Sequence, residues 1–101
     1  MACTKIPLAD MEWAQGGHPL ERKKAHPSGI TLLEFAPGFE DANWCTNGHV
    51  IYVLQGRLAL QLEDRVIELH SGEACVLDAG TRHRARNPDD TAARLFVVTP
   101  S

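Results

Sequence analysis

From Gly29 onward, short runs of β-favouring residues alternate with turn residues, a pattern that predicts strands and no helix. Ile30 to Phe35 is one such run, stopped by Pro37-Gly38. Asp41 to Cys45 reads as the next strand. It leads into Thr46-Asn47-Gly48, where Asn-Gly is a hairpin signal because both residues tolerate positive φ. His49 to Leu54 and Arg57 to Leu62 follow, with Gly56 permitting a bend between them. In the second of these, Leu58, Leu60 and Leu62 alternate with Arg57, Ala59 and Gln61, which predicts one buried and one wetter face. Glu63-Asp64 turns the chain into Arg65 to Leu69, Ser71-Gly72 into Ala74 to Leu77, and Ala79-Gly80 into His83 to Asn87. A polar loop, Asn87-Pro88-Asp89-Asp90, precedes a last strand from Ala93 to Thr99. About eight short strands with frequent turns predict an all-β sandwich or barrel, and closure into a barrel would remove exposed strand edges.

Residues 1–28 are more polar and carry Gly16-Gly17, Pro19 and Pro27. They predict an irregular arm with one or two short strands around Met11-Glu12-Trp13, preceding a barrel over residues 29–101. At 101 residues the chain suffices for one modest core and is too short for two domains. The composition, 44% hydrophobic and 23% charged, is that of a globular protein. A net charge of −3 supplies no basic face for nucleic acid. The cluster Glu21-Arg22-Lys23-Lys24 reads as a solvated strand edge or loop. The longest apolar run, Val50 to Leu54, falls far short of the roughly 20 residues of a membrane span. The opening residues, Met1 to Pro7, hold no apolar signal core, so the expectation is a cytoplasmic protein with no membrane partner. Three cysteines without a CxxC fit reduced thiols in that setting. Cys75, in Ala-Cys-Val-Leu, reads as a small buried hydrophobe, and Cys3 lies in the terminus.

Cys45 is the one thiol in polar company. Strand alternation sets Asp41, Asn43 and Cys45 on one face and Glu40 and Trp44 on the other. If the Asn47-Gly48 turn folds the next strand back, His49 sits across from Cys45. Arg82, Arg84 and Arg86 alternate with His83 and so face away from it, as a solvated or subunit-contacting stripe. Tyr52 opposes His49 in facing. His18, His26 and His70 read as exposed, with His26 near an edge strand. No GxSxG elbow, phosphate-cradling loop or HExxH helix is present.

Two glycine-framed segments, Pro37 to Gly56 and Gly72 to Asn87, resemble the two signature motifs of the cupin superfamily. In the second, Gly72, Gly80, His83 and Asn87 keep every spacing, with Asp78 where proline is usual. In the first, counting back from Gly56 puts His49 at the glutamate position and Cys45 and Asn43 at the two histidine positions. The resemblance implies a double-stranded β-helix (jelly-roll) barrel and a homodimer, and it brings His83 to the end of the barrel occupied by the first motif. The candidate metal set is then Cys45, His49 and His83, with Asn43 as a weak oxygen ligand. Thiolate and imidazole suit zinc first, and iron or another transition metal second. The alternative is a cupin that has given up its metal, with Cys45 as interior filler and both histidines lining a ligand pocket.

Three functions follow. The first is a module that binds a small polar ligand in its barrel, with or without a divalent metal. The second is a metal-dependent enzyme (dioxygenase, isomerase or lyase) acting on a small acid or sugar derivative. The third is a structural protein whose barrel mainly dimerises, since Trp13, Trp44, Tyr52 and Leu54 cannot all face one small interior. No catalytic residue is assigned. Oxygen-activating iron usually wants two histidines and a carboxylate, and among the first motif's carboxylates only Asp41 has the right facing, which counts against a dioxygenase.

Overall fold

The alternating pattern resolves into nine strands in two antiparallel sheets. In the computed structural model, which describes residues 2–100, the strands are β1 (Ala14–Gln15), β2 (Glu21–Ala25), β3 (Ile30–Phe35), β4 (His49–Gln55), β5 (Arg57–Gln61), β6 (Val66–His70), β7 (Ala74–Leu77), β8 (Arg84–Arg86) and β9 (Ala93–Val98). One sheet runs β1-β2-β3-β9-β4-β7 and the other β6-β5-β8. Central strand β9 shows the logic of the core. Ala93, Leu95 and Val97 point in and are at most 5% exposed, while Arg94, Phe96 and Val98 point out. Phe35, Ile51, Val53, Leu58, Leu60 and Leu77 complete the apolar interior between the sheets. This is the jelly-roll barrel that the second motif implies. No helix among the described residues is long and apolar enough to cross a membrane.

The N-terminal region contributes two strands to the larger sheet. β2 pairs with β3 over its whole length, from Glu21↔Phe35 to Ala25↔Thr31. The polar run at residues 21–24 is therefore a paired strand, with Glu21, Lys23 and Ala25 turned inward and Lys24 buried on the outer face. The Lys24 ammonium donates to the carbonyl oxygens of Leu8 (2.8 Å) and Ala9 (3.5 Å), which satisfies a charge taken out of water. Trp13 lies over Arg22 and Lys24, at 4.3 and 4.8 Å from its ring centre, so the arm covers the outside of β2. Of the two strands in the arm, the one nearer the expected Met11–Trp13 is Ala14–Gln15, which begins just after it.

Two expectations fail around Cys45. Residues Asp41 to Cys45 do not form a strand. Only Glu40 and Cys45 pair, as isolated bridges to Arg86 and His83. The cause is Asp41, whose Oδ2 accepts the Ala85 N–H at 2.8 Å. A side-chain carboxylate thus takes a hydrogen bond that a strand backbone would otherwise accept, and residues 42–44 swing off the ladder. Nor is Asn47-Gly48 a tight hairpin turn, since neither residue has positive φ and β4 pairs with β7 and β9 instead. Glycine serves a different purpose at position 48. A Cβ there would lie 3.1 Å from the Ala79 nitrogen and 3.3 Å from the Leu77 oxygen, so its absence lets the 77–79 backbone come close.

Candidate metal centre and its cavity

Cys45 and His83 meet through their backbones. The Cys45 N–H donates to the His83 carbonyl at 2.8 Å, and the His83 N–H donates to the Cys45 carbonyl at 2.9 Å. Residues that exchange both bonds in an antiparallel pair project their side chains to the same face. His49, the first residue of β4, then reaches the pair from the other sheet, with its Nε2 3.9 Å from the Cys45 sulfur. The donor atoms of Cys45, His49 and His83 all lie within 4.8 Å of one another. Asn43 does not join them. It is exposed in the bulge at residues 42–44, and the side chain that lines the cavity beside Cys45 is Asn47.

Both imidazoles are held by their other nitrogen. His83 Nδ1 lies 2.9 Å from the Thr81 carbonyl oxygen, an acceptor only, so it carries the proton and leaves the Nε2 lone pair available. His49 Nδ1 lies 2.9 Å from the Thr99 hydroxyl. Such outer partners fix the orientation of a metal-binding histidine, and at His83 the carbonyl fixes the tautomer as well. The Asn47 N–H donates to the Cys45 sulfur from 3.5 Å, which helps to orient it. Burial, with His83 close by, holds the His49 imidazole below its ordinary value of 6.5 and so keeps it neutral, the form that ligates. The donor set therefore fits zinc in its chemistry as well as its convergence: one cysteine sulfur and two imidazoles, from three separate stretches of chain.

A depressed histidine pKa has a pH consequence. The unfolded chain takes up the proton first, so the stability tied to neutral His49 is present above about pH 6.5 and lost as pH falls through the lower folded value. Urea titrations of metal-free protein between pH 7.5 and 5 are expected to show a steeper loss for the parent than for His49→Gln. Equal slopes would mean that residue 49 carries no such penalty.

The cluster forms one part of the wall of a cavity of about 450 Å³ that opens to solvent. Leu33, Phe35, Ile51, Leu58, Leu60, Leu95 and Val97 give it an apolar lining, and Glu21, Lys23 and Asp41 form a second polar group. Thr99 and Lys23 carry no motif signal. Thr99 does continue the inward parity of Leu95 and Val97, but Lys23 is visible only once β2 is known to be paired.

The remaining chemistry-bearing residues lie elsewhere. His70 is exposed and bonded to Glu73, His26 bonds Ser28, and His18 sets its edge on Phe39. Cys75 packs against the core, where burial pushes its thiol up. Arg82 and Arg84 stack on Trp44 at 4.7 and 4.9 Å. Asn87, the last residue of the second motif, is structural: its buried amide donates to the carbonyls of Phe35 and Thr91.

Comparison with known proteins gives the same architecture. A family model described as a cupin domain matches residues 31–99. No curated protein sequence matches the chain. Among solved structures, a sugar phosphate isomerase from a cupin superfamily of Silicibacter pomeroyi is 18% identical, with a TM-score of 0.78 over 97% of this chain and 76% of that one. KdgF from a Halomonas species is 22% identical, with a TM-score of 0.74 over 92% and 91%. The CENP-C cupin domain of Drosophila melanogaster is 14% identical, with a TM-score of 0.73 over 89% and 75%. Identities this low carry the fold and leave function to the site. A cupin-domain match over more than half the chain, on a two-sheet antiparallel barrel, places this protein in the cupin family.

Proposed function

We propose that the barrel binds a small polar organic ligand at a divalent metal, zinc first, held by Cys45, His49 and His83. The observation that carries this reading is the convergence of three soft or borderline donors within 4.8 Å on the wall of the cavity. Three protein ligands leave a coordination position for a ligand oxygen, which the bound metal would polarise as a Lewis acid. The chain's own residues do the rest. Thr81 and Thr99 orient the two rings, the Asn47 N–H hydrogen-bonds the Cys45 sulfur, and the apolar lining displaces water around the ligand's carbon skeleton. A cytoplasmic setting would keep the three free cysteines reduced, as a thiolate ligand requires. Protein purified without an affinity tag and analysed by plasma mass spectrometry is expected to carry one zinc per chain. Metal far below one equivalent, with no rise on zinc addition and dialysis, would sink the reading.

The second reading is a metal-dependent isomerase or lyase. It is favoured by the placement of the Cys45, His49 and His83 side chains on the cavity wall, where a metal held by them would meet a bound substrate, and by the sugar phosphate isomerase of the same fold. The donor set works against oxygen-activating iron, since no carboxylate belongs to it.

The outer surface supports a homodimer. The arm covers β2, but Val50 (39% exposed), Tyr52 (41%) and Val76 (72%) stand bare on the outer face of β4 and β7. They adjoin Phe96 and Val98, which pair with Tyr52 and Val50 across β9. A second copy of this chain would cover that apolar face. Sedimentation is expected to give a dimer for the parent and an 11.1 kDa monomer for Tyr52→Glu. A parent that is already monomeric at micromolar concentration would contradict the dimer.

A further inference from the structure

The cavity holds a second polar group that the metal does not use. Glu21 and Lys23 enter from β2, and Asp41 enters from the segment that bridges to β8. Lys23 stands in register with Leu33, Leu95 and Val53, and Val53 lies four residues along β4 from His49. That offset is roughly 13 Å along the strand direction. Apolar side chains of β3, β4, β5 and β9 line the space between the two groups.

This second group is built rather than incidental. Glu21 folds against the β1–β2 turn, where a Cβ on residue 16 would sit 2.4 Å from its Oε2, so the carboxyl group lies directly against Gly16. Burial, together with nearby Asp41, raises Glu21 above the usual carboxylate range. Asp41 is fixed by the Ala85 N–H through one oxygen and keeps the other. None of the ion pairs among the described residues involves Lys23.

The mixture of signs selects the ligand group. A second carboxylate there would meet Glu21 and Asp41, and an ammonium would meet Lys23. Hydroxyl groups suit all three, donating to the carboxyl oxygens and accepting from the ammonium. At the other end a divalent cation prefers an anionic oxygen. Resting on the metal reading above, we infer that the cavity takes a two-ended ligand, a polyhydroxylated carboxylic acid. Its acid group sits at Cys45, His49 and His83, and its hydroxyls sit at Glu21, Lys23 and Asp41.

Isothermal titration of the zinc-loaded full chain with gluconate, hexanoate and sorbitol tests this. Gluconate joins both ends, and the other two supply one end each. Gluconate is expected to bind at least about tenfold tighter than either. Lys23→Met and Glu21→Gln should each weaken gluconate about tenfold while leaving hexanoate affinity and zinc content unchanged. Hexanoate binding as tightly as gluconate, gluconate binding unmoved in both variants, or no binding of any probe to the zinc-loaded chain overturns the inference. Zinc content, measured on the same samples, separates this outcome from failure of the metal site. Should the chain hold no zinc, sorbitol and gluconate titrated into the metal-free parent and Lys23→Met decide the hydroxyl end alone, and identical heats in parent and variant overturn it.

Discussion

His83→Ala and Cys45→Ala are each expected to lower zinc affinity by at least about a hundredfold, to be measured by competition with a chromophoric chelator. Each removes a ligand outright, and even loss of an outer-shell partner typically costs 10–100-fold. Thr99→Val, which frees His49 Nδ1, is expected to lose about tenfold, whereas Asn43→Ala, altering an exposed bulge, should lose nothing. The contrast between residues 43 and 45 separates a true donor set from general disturbance of the barrel mouth. Cobalt substitution adds a direct readout, because a thiolate–cobalt charge-transfer band should be present in the parent and absent in Cys45→Ser. Zinc at a hundredfold excess over its dissociation constant should add about 2.7 kcal/mol of stability to the parent. For a chain of this size that is a rise in Tm of roughly 10–20 °C. Retention of one zinc per chain with unchanged affinity in both His83→Ala and Cys45→Ala would move the centre elsewhere.

Phe39→Ala is expected to cost about 3–5 kcal/mol, the largest stability loss from a single side chain outside the cavity. Phe39 is 1% exposed, and its ring stacks on Phe35 with centroids 3.8 Å apart, while His18 abuts it edge-on. Its carbonyl accepts the Asn87 N–H at 2.9 Å, immediately before the segment that carries Asp41 and Cys45. Truncation leaves a void under that segment, with total stability of only about 5–15 kcal/mol to draw on. Phe39→Leu fills most of the space and should lose under half as much. Denaturant titration checks both variants. A loss below about 1 kcal/mol for Phe39→Ala would show that the loop packs independently of its aromatic anchor.

The strands were the most legible feature because burial in a two-sheet fold imposes a period of two. Ala74–Leu77 has its expected limits, and the Ala93–Val98 alternation marks inward residues without further information. Polar strand β2 was illegible for the complementary reason. Its inward Glu21 and Lys23 line a cavity and its outward Lys24 is held by carbonyls of the arm, so no apolar rhythm survives. The hairpin expected at Asn47-Gly48 rested on turn chemistry that close backbone packing overrode. His49 still arrives beside Cys45, but from the opposite sheet.

Periodicity and glycine spacing in the sequence therefore determined an all-β barrel, and the intact second motif marked His83 within it. Motif spacing put Cys45, His49 and His83 forward as one set, but what joins them is pairing between distant strands and one carboxylate, Asp41, that interrupts a ladder. Tertiary structure alone excluded Asn43 from the cavity, admitted Asn47 and Thr99, and set Glu21 and Lys23 across the apolar interior from Cys45, His49 and His83. The physical reason is that strand parity is a short-range property, while a site between two sheets depends on long-range register and on where the backbone leaves it.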